Sequence, residues 1–244
     1  MIKLVFKLFH ILISPRYLCT FILHSIAATV EHNKTLNNLT ANTIIDIGAN
    51  KGQFALAARH TFPDAKIISF EPLSAPARKF NNLFKRDRKI VLHQSAVGPE
   101  KTTLPIHVSK RDDSSSLFPI GARQSAIFPG TEESHTEEIE LAPLHFFIEK
   151  DDLVSPVFVK IDVQGYELEV LKGCEEQIEY FDYIYVECSF IELYENQALA
   201  DEVIQYLIKK SFRLKGIYNT YYDKKGVAIQ SDFLFKRENS IENY

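Results

Sequence analysis

From Thr43 onward, short apolar runs rich in β-branched residues alternate with stretches whose apolar positions recur every three or four residues. "TIIDIG" reads as a strand and Gln53 to His60 as a helix. "AKIISFEP" reads as the next strand, Ala75 to Phe84 as the next helix, and "KIVLHQSAVG" as a third strand. Continuous apolar runs of this kind suit a sheet covered on both faces, and strand–helix–strand repetition calls for parallel strands joined by right-handed crossovers. The predicted architecture is an α/β doubly wound sheet.

Residues 99–150 interrupt this rhythm. "TTLPIHVS" and "TEEIELAPL" look like an antiparallel pair, and the stretch between them is rich in Ser, Gly, Pro and charge. A loop of that length inside a compact domain usually carries function or is disordered. The alternation then resumes with "VFVKIDVQG", a short helix "YELEVLKGC", "FDYIYVECSF" and an amphipathic helix from Gln197 to Lys210, with Ala198, Val203, Leu207 and Ile208 on one side. "FRLKGIYN" and "VAIQSDFLFKR" close the chain as two strands whose short connection makes them antiparallel. The expected division is a helical cap over residues 1–40 and one domain over 41–244, with 99–150 as an insertion covering the acceptor site.

The N-terminal stretch is strongly apolar, but Lys3, Lys7, His10, Pro15, Arg16 and His24 interrupt it. A spanning helix needs about 20 mostly apolar residues without such breaks. Two short helices, before and after Pro15, are expected instead. The cap would pack on the domain or on a second copy of the chain, the preferred account. Alternatively, residues 1–30 would rest on an anionic membrane surface through Lys3, Lys7 and Arg16.

The 244 residues carry a net charge of −4 and are 45% apolar and 25% charged, a soluble globular balance. The acidic balance argues against nucleic acid as the main partner. Cys19, Cys174 and Cys188 show no paired spacing and read as reduced thiols of a cytoplasmic protein.

Candidate chemistry begins at "DIGANKGQF". A glycine-rich turn between strand and helix commonly holds a nucleotide. The G-x-x-x-x-G-K-[ST] loop is absent, and so are the second and third glycines of G-x-G-x-x-G, which leaves D-x-G-x-x-x-G. A carboxylate at Asp46 disfavours a pyrophosphate and favours a ligand bearing an ammonium and a sulfonium, such as S-adenosylmethionine. Gly48 and Gly52 would let the backbone approach it closely. Asp46 could instead cap the following helix. Glu71 lies about 20 positions after Gly48, the spacing at which an acid at the next strand end accepts from ribose hydroxyls. Pro72 ends that strand. Ser95 and Ala96 would line an adenine pocket, one with a hydroxyl and one by being small.

"DIGANKGQF", "FEP", "AVG", "DDSSSLF", "VKIDVQGYELEVLKG", "VEC" and "SDFLFKR", in that order over roughly residues 30–237, resemble the FkbM-type methyltransferases. The "KIDVQGYELEVLKG" element is far more specific than the glycine turn. The resemblance implies a class I S-adenosylmethionine-dependent fold and, usually, O-methylation of a sugar or another hydroxyl-bearing metabolite. By motif match Asp46, Gly48, Asn50 and Gly52, counted here with Phe54, form its cofactor turn. Glu71 is its ribose acid and Asp162 the acid after its fourth strand.

Ligands of doubly wound sheets sit at the carboxyl ends of the strands, so Asp162 and Glu187 should face the cofactor crevice. Methyl transfer to a hydroxyl is an in-line displacement that needs alignment and a proton acceptor. Asp162 is the preferred base or substrate-orienting acid, with Glu187 beside it. Glu167 would serve either as a helix N-terminal charge or as a contact to substrate hydroxyls, and Gln164 is a second acceptor contact. By composition the serine run reads as solvated linker, and the resemblance favours Ser115 and Ser116 at the acceptor. His107, His135 and His145 lack metal-ligand spacing, and no metal is predicted, although a divalent ion held by Asp162 and Glu187 would acidify a hydroxyl. Tyr218, Tyr221 and Tyr222 offer an aromatic wall for a sugar.

Overall fold

A computed structural model describes residues 14–238. The expected helix before Pro15 lies outside them. The helix after it, α1 (Pro15–His24), has Pro15 in its first turn and Ser14 as N-cap, where a missing N–H costs nothing and a hydroxyl can accept from the first turn. Tyr17 is buried and its ring lies 4.9 Å from that of His60, so the cap packs on the domain. Phe21, Ile22 and Leu23 are exposed on the same helix. Among the described residues no helix is long and apolar enough to cross a membrane.

After α2 (Asn33–Leu36) come β1 (Thr43–Ile47), α3 (Gln53–Thr61), β2 (Lys66–Phe70), α4 (Ser74–Phe84) and β3 (Ile90–His93). β4 (Ala96–Val97) follows, and the insertion supplies β5 (Thr102–Ser109), α5 (Ala122–Ile127) and β6 (Glu133–Ala142). The remainder is β7 (Val157–Ile161), α6 (Glu167–Gly173), β8 (Tyr183–Ser189), α7 (Ala200–Lys209), β9 (Phe212–Tyr222) and β10 (Ala228–Arg237). The main sheet has the order β3-β2-β1-β7-β8-β10-β9. Its first five strands are parallel, and β10 pairs antiparallel with both β8 and β9.

The third strand differs from its expectation. "KIVLHQSAVG" splits: β3 stays in the main sheet, whereas β4 joins β6 and β5 in a separate three-stranded sheet. The Ser95 hydroxyl holds the break by donating to the carbonyls of Ala96, at 3.1 Å, and Glu140, at 3.0 Å. Helix α7 starts at Ala200 rather than Gln197, because the Gln197 amide oxygen accepts from the backbone of Leu193 and Tyr194. Ile208, expected on its buried side, is exposed.

Alternation along the strands divides the side chains between two faces. Ile45, Ile47, Val157, Val159, Ile161, Ile184 and Val186 pack with α6, α7 and the small sheet in one core. Ile44, Phe158, Tyr185 and Leu234 face α3 and Leu36 in another. Asp46, Lys160, Asp162, Glu187 and Asp232 belong to this second face by the same two-residue repeat. One face of the sheet is therefore apolar to the strand ends, and the other turns polar as it approaches them.

Candidate active site

The turn after β1 is shaped by two glycines at positive φ. A Cβ on Gly48 would stand 1.9 Å from the Asp162 carbonyl oxygen, and one on Gly52 would stand 2.5 Å from the Phe84 ring. The missing side chains thus let the turn seat against the end of β7 and against α4. The close approach expected toward a ligand is an approach to the protein itself, although Gly48 also lines the cavity described below. Gly52 does not line it and is the N-cap of α3.

Glu71 leaves the end of β2 and ties this turn down. Its Oε2 accepts from the Asn50 amide and its Oε1 from the Leu73 amide, both at 2.9 Å. Burial pushes its carboxyl up to about 7, against the pull of those two donors. Each oxygen keeps acceptor capacity beyond its one amide, so the carboxylate can still take a diol.

Asp46 is fully buried beneath the turn and does not line the cavity. Neither of its oxygens has a hydrogen bond, and it does not cap α3, whose N-cap offers no side-chain bond. Its compensating charge is Lys160, its direct neighbour across the β1–β7 pair, with Nζ 3.5 Å from the Asp46 carboxylate. The same ammonium lies 3.4 Å from Asp162 and donates to the Gly48 carbonyl at 3.1 Å. Burial pulls the Lys160 pKa down, but Asp162, Asp46 and Glu187 outweigh it and leave it raised. Burial likewise raises Asp46, with Lys160 opposing.

Farther along the row, Gln164 sits at φ 56 and bridges two carboxylates. Its amide nitrogen donates to Asp162 at 2.7 Å and to Glu187 at 3.2 Å, and its oxygen accepts from the Tyr194 hydroxyl at 2.9 Å. Gln230 donates to the other Glu187 oxygen at 2.7 Å. Burial, then the charges of Asp162 and Asp232, raise the Glu187 pKa well above the usual carboxylate range. Asp232, paired with Glu187 in the β8–β10 register, accepts from the Tyr185 hydroxyl at 2.9 Å and from Asn219 at 2.7 Å. His32 Nδ1 closes this cluster at 3.2 Å from the Tyr185 hydroxyl and 3.5 Å from Asp232.

These groups surround one cavity of about 1310 Å³, larger than the ~300–1,000 Å³ typical of a single small ligand. Gly48, Asn50, Glu71, Pro72 and Ala96 line one end, Asp162, Gln164, Glu187, Ser115 and Ser116 line it farther on, and Phe54 lines it beside His32. Phe54 is mostly core, stacked on Phe158 at 6.2 Å. Ser95 reaches the lining, but its hydroxyl is spent on two carbonyls, so it offers adenine no donor. Ser115 and Ser116 accept from the amides of Ser109 and Phe118, which makes them builders of the loop. Glu167 is buried off the cavity, and burial raises it to about 7. It accepts from the amides of Gly165, at 2.9 Å, and Val163, at 3.3 Å, so it clamps the turn after β7. Tyr221 lines the cavity, whereas Tyr218 and Tyr222 do not. Among the described residues no three His, Cys, Asp or Glu side chains are grouped to hold a metal ion.

Sequence reasoning missed His32, Lys160, Asn219, Gln230 and Asp232 as site residues. Asp232 had a legible signal: a lone carboxylate in the apolar run "SDFLF". Lys160 had another, a cation inside the buried strand "VFVKI". His32 had none.

The fold is that of the Rossmann-like class I methyltransferases. TehB from Haemophilus influenzae superposes with a TM-score of 0.50 at 8% identity, covering 91% of this chain and 67% of that one. The chain belongs to the FkbM methyltransferase domain family, whose model matches residues 46–214. Among curated relatives, "Methyltransferase 1" of Beauveria bassiana is 26% identical, over 55% of this chain and 59% of that protein. "2-O-methyltransferase NoeI" of Sinorhizobium fredii is 29% identical, over 63% of this chain and 66% of that protein. The chain thus spans about three-fifths to two-thirds of the length of these relatives.

Proposed function

We propose that the protein is an S-adenosylmethionine-dependent methyltransferase that methylates a hydroxyl of a sugar, a glycan or a related polyhydroxylated metabolite. The observation that carries the reading is Glu71, a buried carboxylate at the end of β2 that lines a large cavity and retains acceptor capacity for a ribose diol. In this reading the nucleoside lies between Glu71, Pro72 and Ala96, and Asp162 faces the cationic end of the cofactor. S-adenosylmethionine supplies an activated methyl group there. The protein aligns the acceptor, excludes water and removes a proton. The volume left beyond one cofactor suits a second ligand, and the 2-O-methyltransferase among the relatives supports a hydroxyl acceptor.

The row Asp162, Glu187 and Asp232 favours a second reading, an amine acceptor drawn by negative charge. Transfer of a labelled methyl group to fractionated cell extract separates the two. Label in neutral, periodate-sensitive glycan or glycolipid fractions supports the hydroxyl reading. Label confined to basic small molecules or proteins overturns it.

A further inference from the structure

Methylation of a hydroxyl needs a proton acceptor that is unprotonated at working pH and not already neutralised by donors. Neither carboxylate expected from the sequence meets both conditions. Asp162 is held on one oxygen by Gln164 and on the other by Lys160, which stabilise its charge. Glu187 has both oxygens engaged, one by Gln164 and the other by Gln230, and burial raises its pKa.

His32 lines the same cavity, on the segment between α1 and α2. It reaches the site across 200 residues of chain (Asp232 is its farthest contact) and lies outside the residues matched by the family model. Its ring stands edge-on to Phe54 and to Tyr185, with centroids 5.6 and 5.5 Å away. Both packed rings restrict its rotation. Among the described residues its polar neighbours lie at Nδ1: the Tyr185 hydroxyl at 3.2 Å, the Asp232 carboxylate at 3.5 Å and the Asn219 amide nitrogen, itself a donor, at 3.3 Å. The two Asn219 amide protons are directed to Asp232, at 2.7 Å, and to the Tyr185 oxygen, at 3.3 Å, and the Tyr185 hydroxyl donates to Asp232, so what these neighbours leave for Nδ1 is acceptor capacity on Asp232 and on the second lone pair of Tyr185. That arrangement places the ring proton on Nδ1 and leaves Nε2 as the basic nitrogen. The titratable groups around the ring are Asp232 from β10, Tyr185 from β8 and, at longer range, Asp46 from β1.

We propose that His32 Nε2 takes the proton of the acceptor hydroxyl, and that Asp232 and Tyr185 are its positioning residues. The proposal rests on the reading of the cavity as a site of hydroxyl methylation. The acceptor O–H bond breaks with its proton going to Nε2, and the oxygen pair forms the new O–CH3 bond. The electron pair of the methyl–sulfur bond stays on sulfur as a neutral thioether. The imidazolium then returns its proton to water.

Nitrogen-15 NMR of histidine-labelled protein bound to S-adenosylhomocysteine tests the geometry without any acceptor. His32 is expected as the Nδ1–H tautomer, and Asp232→Asn is expected to erode that preference. An Nε2–H tautomer in the wild type overturns the proposal. Transfer of a labelled methyl group to a mixture of methyl glycosides tests the chemistry. His32→Gln is expected to lose about 100-fold or more in single-turnover rate, with cofactor affinity within about threefold of the wild type. Imidazole in the buffer is expected to restore part of the activity of His32→Ala. A His32→Gln variant that keeps wild-type transfer to the glycosides overturns the proposal, as does a wild type that transfers only to amines. If calorimetry shows that the wild type binds neither S-adenosylmethionine nor S-adenosylhomocysteine, the cofactor reading itself fails.

Discussion

The two ends of the cavity are built in different ways. At the Glu71 end, one short turn, two glycines and one glutamate lie within about 25 residues of one another, and backbone amides do most of the holding. At the far end, His32, Gln164, Glu187, Asn219 and Asp232 come from five separated segments, and side chains hold side chains. The near end is fixed by local covalent geometry and strand-end topology, which a family can preserve over many acceptors. The far end exists only once the sheet is assembled, and its residues can change without disturbing the turn.

If that contrast is right, the largest losses come from breaking the charge column that joins the two ends. Lys160→Met leaves Asp46 and Asp162 without their shared cation and is expected to cost about 3–5 kcal/mol of stability, read by urea unfolding. A loss below about 1 kcal/mol would mean that Asp46 is protonated and needs no partner. Gly48→Ala combines a positive φ with a clash against the Asp162 carbonyl, and about 2–4 kcal/mol of destabilisation is expected in the same assay. Glu71→Ala frees two amides and removes the diol acceptor. Cofactor affinity is expected to fall by about 1–3 kcal/mol in calorimetry, whereas Asp232→Asn, at the far end, leaves it nearly unchanged. Equal losses in both variants would erase the distinction between the ends.

Glu71 and Glu167 also make a pH prediction. Both pKa values are raised to about 7, so between the ordinary carboxylate value and 7 the folded chain holds more protons than the unfolded one. Their contribution therefore favours folding most at low pH and is lost as pH rises toward 7, beyond which it levels off. Ribose hydroxyls favour the ionised Glu71, so cofactor binding should release a proton and tighten as pH rises through the same window. Calorimetry in buffers of different ionisation enthalpy reads that release. The smallest effect is expected at Ser95: Ser95→Ala should cost only about 0.5–1.5 kcal/mol of stability and leave cofactor affinity unaltered, because its hydroxyl serves two carbonyls.

The order of strands and helices and the polar turn were legible because apolar periodicity and glycine spacing are local signals. Glu71 was legible because topology ties it to the turn at a near-constant distance. The split of "KIVLHQSAVG" was not, since a strand that changes sheets has the same apolar pattern as one that does not. Asp46 was given a ligand's role because a carboxylate beside a turn looks exposed in sequence. Only the β1–β7 register shows Lys160 beside it and the side chain sealed below the cavity. Glu167 was weighed between a helix charge and a substrate contact, and it holds the amides of Gly165 and Val163; Ser115 and Ser116, placed at the acceptor by resemblance, line the cavity while each accepts from one loop amide. His32 could not have been found at all, since its meaning lies in contacts with Tyr185, Asn219 and Asp232 far along the chain.

The central claim is that the Glu71 end of the cavity binds S-adenosylmethionine. Calorimetric titration of the wild type and Glu71→Ala with S-adenosylmethionine tests it most directly. One cofactor per chain in the wild type, weakened by about 1–3 kcal/mol in the variant, is the predicted result. Binding of the same strength in both, or no binding by the wild type, would contradict it.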